Sequence, residues 1–316
     1  LQKPGFGKAK THVDRCIQTQ KTIGRETSVR SEVSIHKPAM SSQFINFRHS
    51  AIHYLIFGNG PILTVCFHGF AEDAKSFEKL ADSMPDHKLV AIDLPFHGKT
   101  AWKEELHLSI PDLIEIIRLC LEIGDKPFGI MGYSMGGKIA LSVLEALKGK
   151  VTHLLLIAPD GLRADPWHWF GTKTLIGGYV LRRTMQQPAW FLSFLKIMRR
   201  TGLVNESIYK FVLYYVDEPY MRNKVYMIWT TMRDFRPSIP AIIGFIKKER
   251  IPVKMVFGKF DRLCPYKWGQ QFARSLDGLA ELKILDTGHL LLHEKHVPKV
   301  AAFFCHTFAQ TNLRNS

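Results

Sequence analysis

The 316-residue chain has only five cysteines, Cys16, Cys66, Cys120, Cys264 and Cys305, and none of them stands in C-x-x-C spacing. An odd, scattered set makes neither a disulfide framework nor a zinc cluster, and reduced thiols in a cytoplasmic protein are the expectation. Long apolar runs are missing too. Nothing approaches the roughly 20 residues that a bilayer-spanning helix needs, and the first residues lack the apolar stretch of a secretory signal, so no stable membrane insertion is expected. Acidic residues are scarce, 28 Asp and Glu against 43 Lys and Arg, which leaves a formal charge of +15. The surplus is spread along the chain without a helix-turn-helix, zinc-finger or aromatic RNA-binding pattern. It reads as solubility or weak attraction to anionic surfaces, with no nucleic-acid partner.

What is present is ordinary globular material, 46% apolar and 22% charged, long enough for one large domain with an insertion. Residues 1–39 have no apolar periodicity and carry eight Lys and Arg against three acids. They are expected to be a disordered leader or an added extension, with Met40-Ser41-Ser42 resembling a natural start.

The chain is organised around Gly132-Tyr133-Ser134-Met135-Gly136, where an apolar run breaks at a serine between two glycines and restarts with helical spacing. A serine hydroxyl is a weak nucleophile at neutral pH. To act as one it needs a sharp turn that lifts it from the sheet, a histidine to take its proton, and N–H groups to receive the oxyanion.

Around this turn, strand-like and helix-like segments alternate. Phe44–Phe47, Ile52–Phe57, Ile62–Phe67, Lys88–Ile92, Phe128–Tyr133 and His153–Ala158 read as strands. Phe77–Met84, Ile110–Ile123 (with Ser109 as N-cap) and Met135–Leu147 read as helices. After residue 159 the pattern becomes helical and rich in aromatics to about residue 250. Alternation then returns with strands Val253–Gly258 and Leu282–Leu285, a helix from about Lys267 and a last helix near Val297–Phe308. The expected fold class is therefore α/β, a mostly parallel central sheet flanked by helices, with a core of residues 40–159 and 251–316 and a helical cap inserted at 160–250.

Chain order supplies partners for the serine. Asp261 lies just beyond Val253–Gly258, and His289 just beyond Leu282–Leu285. Ser134, Asp261 and His289 thus each follow a strand, in that chain order, and converge on one edge of a parallel sheet. Asp160, after the strand that follows Ser134, is a second position for the acid, ranked behind Asp261. Asp286 reads as a residue that holds the loop.

With these motifs in place, the sequence from Gln43 onward resembles the α/β-hydrolase superfamily. His68-Gly69-Phe70 is similar to that family's histidine-glycine turn, and Asp93-Leu94-Pro95-Phe96-His97-Gly98 to its aspartate-x-proline-x-histidine-glycine segment, with Phe96 where glycine is frequent. The resemblance implies Ser134 as nucleophile, His289 as base, Asp261 as acid, and the backbone N–H groups of Phe70 and Met135 as the oxyanion hole. It assigns His68 and His97 to loop structure. It also implies neither metal nor organic cofactor.

The first functional expectation is a hydrolase of a small-molecule carboxylic ester with an apolar acyl group; a serine at this position excludes the dehalogenases, which carry aspartate. The second is a carbon–carbon bond hydrolase or lyase acting on an acidic substrate, since Gly132 to Lys138 also resembles the corresponding stretch of a menaquinone-pathway synthase that has arginine in place of Lys138. The third is a silent binding member of the fold, which complete machinery disfavours. The sequence gives no reading of oligomeric state.

Overall fold

A computed structural model describes residues 40–121, 126–147 and 149–312. The expectation for residues 1–39 lies outside these, as do the last two residues of the helix expected over Ile110–Ile123. Among the described residues, a hairpin leads. β1 (Met40–Phe47) pairs antiparallel with β2 (Ser50–Phe57), which pairs antiparallel with β4 (His87–Ile92). β3 (Ile62–Phe67), β4, β5 (Phe128–Tyr133), β6 (Val151–Ile157), β7 (Val253–Gly258) and β8 (Ala280–Leu285) are parallel, in the sheet order β1-β2-β4-β3-β5-β6-β7-β8. All six residues of β5 are buried, as expected of a parallel strand covered on both faces.

Helices cover the two faces. On one, Val65, Ile130, Leu154 and Met255 pack with α2 (Ile110–Leu121), α3 (Met135–Leu144) and α10 (Tyr266–Arg274). On the other, Cys66, Met131, Leu155 and Val256 meet α1 (Glu78–Asp82) and α11 (Val297–Asn312). α2 begins as its sequence suggests. The Ser109 hydroxyl accepts the Asp112 N–H at 3.1 Å while the Asp112 carboxylate accepts the Ser109 N–H at 3.2 Å, a reciprocal cap.

Two helices differ from expectation. The segment read as Phe77–Met84 opens as a 3₁₀ turn at Ala74–Phe77, because the Asp73 carboxylate caps the Lys75 N–H, and only then becomes α1. The helix after Ser134 ends at Leu144 and finishes in a 3₁₀ turn over Glu145–Leu147.

Between β6 and β7 lie six helices: α4 (Pro166–Lys173), α5 (Leu175–Gln186), α6 (Ala189–Arg200), α7 (Glu206–Asp217), α8 (Pro219–Thr231) and α9 (Ile239–Glu249). This run connects at the C-terminal edge of the parallel strands, where open α/β sheets present their loops. A T-shaped contact between Tyr215 of α7 and Phe70, centroids 5.1 Å apart, brings the run against the loop after β3.

Candidate active site

Ser134 is the single residue between β5 and α3, and its backbone is strained, with φ +52° and ψ −118°. A serine holds such a conformation only where its surroundings over-determine it. Here its N–H donates to the Ile157 carbonyl at 3.0 Å, and its own carbonyl accepts from Gly137 at 2.8 Å and Asp160 at 2.9 Å. The chain reverses so tightly that a Cβ on Gly132 would lie 2.4 Å from the Gly136 carbonyl oxygen, and one on Gly136 only 1.9 Å from that of Phe67. Glycine is obligatory at both for steric reasons.

The turn points the Ser134 hydroxyl at a histidine. Ser134 Oγ is 2.9 Å from His289 Nε2, and His289 Nδ1 is 2.7 Å from Asp261 Oδ2. The Asp261 side chain is fully buried, and its Oδ1 accepts the N–H groups of Leu263 at 2.9 Å and Cys264 at 3.0 Å. A carboxylate already gathering donors takes one more from Nδ1–H, which leaves the Nε2 lone pair facing the serine hydroxyl. Tyr133 steadies the histidine: its ring stacks on the imidazole at 5.6 Å and its hydroxyl donates to the His289 carbonyl at 3.1 Å.

Beside this array runs the loop after β3. A Cβ on Gly69 would stand 3.5 Å from that of Ser134, so the Gly69-Phe70 backbone passes next to the hydroxyl. The N–H groups of Phe70 and Met135 have no hydrogen-bond partner among the described residues.

Two buried histidines hold the loop. His68 Nδ1–H donates to the Gly69 carbonyl at 2.8 Å while Nε2 accepts the Leu94 N–H at 3.1 Å. His97 Nδ1–H donates to the Pro95 carbonyl at 2.9 Å while Nε2 accepts the Ala71 N–H at 3.3 Å. Each ring therefore needs one bare nitrogen. Burial keeps both neutral by pushing their pKa values down, helped at each by the charge of Lys224 on α8. Between them, the two rings tie the Gly69 loop to the segment 93–98. Phe96 in that segment has φ +65°, a left-handed conformation that glycine would adopt without strain.

A second serine, histidine and aspartate stand in nearly the same geometry. Ser42 Oγ is 2.8 Å from His53 Nε2, and His53 Nδ1 is 2.6 Å from Asp93 Oδ2. Distances alone thus do not single out Ser134. Ser42 lies within β1, paired in register with Leu55, and is not on a turn at the head of a helix. Asp93 is occupied with structure: its carboxylate also accepts the Ala74 N–H at 2.7 Å and the Lys99 N–H at 2.8 Å, joining the loops after β3 and β4.

The alternative acid does not reach the histidine. Asp160 accepts its neighbour's N–H, from Gly161, at 2.7 Å and pairs with Lys138 at 3.7 Å. Asp286 pairs with Lys259 at 3.3 Å on the surface.

The alpha/beta hydrolase fold model matches residues 63–296, most of the chain and every residue of this array. The chain belongs to the alpha/beta hydrolase fold family. It is 24% identical over 236 residues to an uncharacterized hydrolase, YugF, of Bacillus subtilis, covering 73% of this chain and 84% of that one. It is 23% identical over 245 residues to the human monoacylglycerol lipase ABHD6, covering 75% of this chain and 72% of the other. A solved esterase of Thermogutta terrifontis superposes with a TM-score of 0.58 at 16% identity, over 87% of this chain and 98% of that one, a likeness of fold. The chain is thus a hydrolase of this fold, and the proteins it resembles include lipases and esterases.

Two features of this alpha/beta hydrolase site are invisible in the sequence. Glu72, on the loop after β3, has its carboxyl 3.5 Å from where a Gly69 Cβ would be, and its Oε2 is buried with no hydrogen-bond partner among the described residues. Burial raises its pKa above the usual carboxylate range, against opposing pulls from Ser76 and His289. It lines a pocket of about 200 Å³ with Ser76, Tyr133, Leu290, Leu292 and His293. The other is the Tyr133 hydroxyl. In sequence Tyr133 is only the x between Gly132 and Ser134, and nothing distinguishes Glu72 from the neighbouring Asp73; both depend on how loops far apart in sequence meet.

Proposed function

We propose that this hydrolase cleaves carboxylic esters with apolar acyl groups through Ser134, His289 and Asp261. The observation that carries the reading is the continuous hydrogen-bond path Ser134 Oγ–His289 Nε2 and His289 Nδ1–Asp261 Oδ2, at 2.9 and 2.7 Å, set on a strained serine turn. His289 takes the Ser134 proton as Oγ attacks the ester carbonyl, and Asp261 holds the ring in the tautomer that accepts it. The negative charge on the carbonyl oxygen is received by the N–H groups of Phe70 and Met135, which have no other partner to give up. His289 then protonates the departing alcohol, and in the second half-reaction it takes a proton from the water that attacks the acyl-enzyme. No step calls for a metal or a cofactor.

The six helices between β6 and β7 serve, in this reading, as a cap over Ser134, with Tyr215 against Phe70 as the point where it meets the oxyanion loop. An apolar wall of this kind favours longer acyl groups by about 0.8 kcal/mol for each methylene buried. The lipase and esterase names of the relatives agree with this.

The carbon–carbon hydrolase or lyase alternative is less well supported. Lys138, which stands where the synthase it resembles has arginine, is buried and paired with Asp160. The test is a series of aryl esters from acetyl to hexanoyl. Rates that rise along the series agree with the ester reading, and a flat or falling series with strong inhibition by small dicarboxylates would overturn it.

A further inference from the structure

Seventeen large apolar side chains stand exposed among the described residues, and eleven of them fall between residues 169 and 220, about a sixth of the chain. They are ordered, not scattered. On α6, Trp190, Phe194 and Ile197 repeat at i, i+4 and i+7, so they form one outward stripe, each more than 40% exposed, while Leu195 faces inward. On α5, Leu175, Ile176 and Tyr179, at i, i+1 and i+4, share one face at 96%, 73% and 70% exposure. The two helices are in contact and are joined through Gln187-Pro188.

Cations accompany the stripes. Residues 161–204 contain seven Lys and Arg and one acid, Asp165. Arg182, Arg183, Lys196 and Arg200 are exposed on these two helices. Two exposed apolar stripes bearing aromatics, with Lys and Arg beside them, are what helices lying in a headgroup region display. A second copy of the same surface fits badly, because a two-fold contact would set these cations against themselves.

We propose that the outer faces of α5 and α6 dock on an anionic phospholipid surface, with the apolar stripes entering the acyl boundary and the cations resting on the headgroups. No helix among the described residues is long and apolar enough to cross a membrane, and docking of this kind needs none. It also does not depend on what Ser134 does.

The experiment is flotation of the full chain with phosphatidylcholine vesicles, with and without phosphatidylserine. The chain should float with the phosphatidylserine vesicles at low salt and less so at high salt, as screening shortens the reach of the charges. Leu175→Glu combined with Phe194→Glu should lower partitioning roughly tenfold or more. Arg182→Ala and Arg200→Ala should each lower it roughly fivefold, on anionic vesicles only. Each variant should keep the wild-type thermal midpoint and the wild-type rate on a water-soluble aryl ester, and Ser134→Ala should float like wild type whether or not Ser134 is the nucleophile. Absence of flotation with phosphatidylserine vesicles would overturn the proposal, as would flotation unchanged in all these variants. So would a dimer that dissociates on the Leu175→Glu and Phe194→Glu exchange, which would assign the surface to a second copy of the chain.

Discussion

Lys138 and Asp160 are paired with each other, Nζ to Oδ2 at 3.7 Å, beside the turn that presents Ser134. The pairing occupies Asp160, the second position for the acid, and Lys138, which stands where the synthase it resembles has arginine. Asp261, fully buried and 2.7 Å from His289 Nδ1, is the carboxylate in contact with the imidazole.

Kinetics of two conservative variants follow from this. Asp261→Asn should lower the turnover rate on the order of 10⁴-fold, because an amide can present its NH₂ to Nδ1 and so favour the wrong tautomer. Asp160→Asn loses an ion pair and should leave most of the activity. The reverse ranking would move the acid to Asp160.

Gly136→Ala tests the tightness of the serine turn. Its Cβ would sit 1.9 Å from a backbone oxygen of β3, which has no room to withdraw inside the sheet. The variant should unfold more easily by roughly 1–3 kcal/mol and lose activity through displacement of Ser134. Chemical denaturation reads the first effect and ester hydrolysis the second; wild-type values for both would mean that the sheet yields more readily than this packing implies.

The sheet was legible because strands buried on both faces read as uninterrupted apolar runs: Ile62–Phe67, Phe128–Tyr133 and Val253–Gly258 have the same limits in sequence and structure. Boundaries slipped where a side chain outside the apolar pattern decided them, as with the Asp73 cap before α1. β1 is longer than its apolar portion because pairing with β2, not burial, holds its exposed start. At the site, Ser134, Asp261 and His289 could be picked out because each follows a strand, and strand order is a local signal. The tautomer-setting bonds of His68 and His97, the Tyr133 hydroxyl and the buried Glu72 carboxyl had no local signal, since their partners come from other loops. The Ser42–His53–Asp93 set shows the opposite hazard, residue types and distances without the strained turn.

Glu72 gives the protein a pH dependence that can be isolated. Its pKa is raised by burial, so its contribution to stability is fully present below the ordinary carboxylate pKa and is lost as pH rises through the folded value. Glu72→Gln cannot ionise. Relative to wild type, the variant should therefore gain stability as pH rises above the ordinary carboxylate pKa. A difference between the two proteins that does not change with pH would show that the carboxyl ionises without cost in the fold.

A second titration lies at the opposite end of the sheet, where Thr64 Oγ1 is 3.4 Å from His87 Nδ1 and 3.2 Å from His153 Nε2. Burial lowers the pKa of His87 to about 4 and that of His153 to about 3. For depressed values, the stabilising contribution is present above the unfolded histidine pKa and is lost as pH falls below it. Stability should therefore fall as pH drops from about 6.5 to about 4, and His153→Gln should flatten that fall. Equal slopes in the two proteins, measured by denaturation at a series of pH values, would place the acid sensitivity elsewhere.

The role of Ser134 is tested most directly by intact-mass and peptide-mass measurement after reaction with a serine-directed alkyl phosphonate. The geometry predicts a single adduct per chain, carried on the peptide that contains Ser134, formed together with loss of ester hydrolysis and absent from Ser134→Ala. An adduct on Ser42 or another residue, or a Ser134→Ala chain that still hydrolyses esters at the wild-type rate, would contradict it.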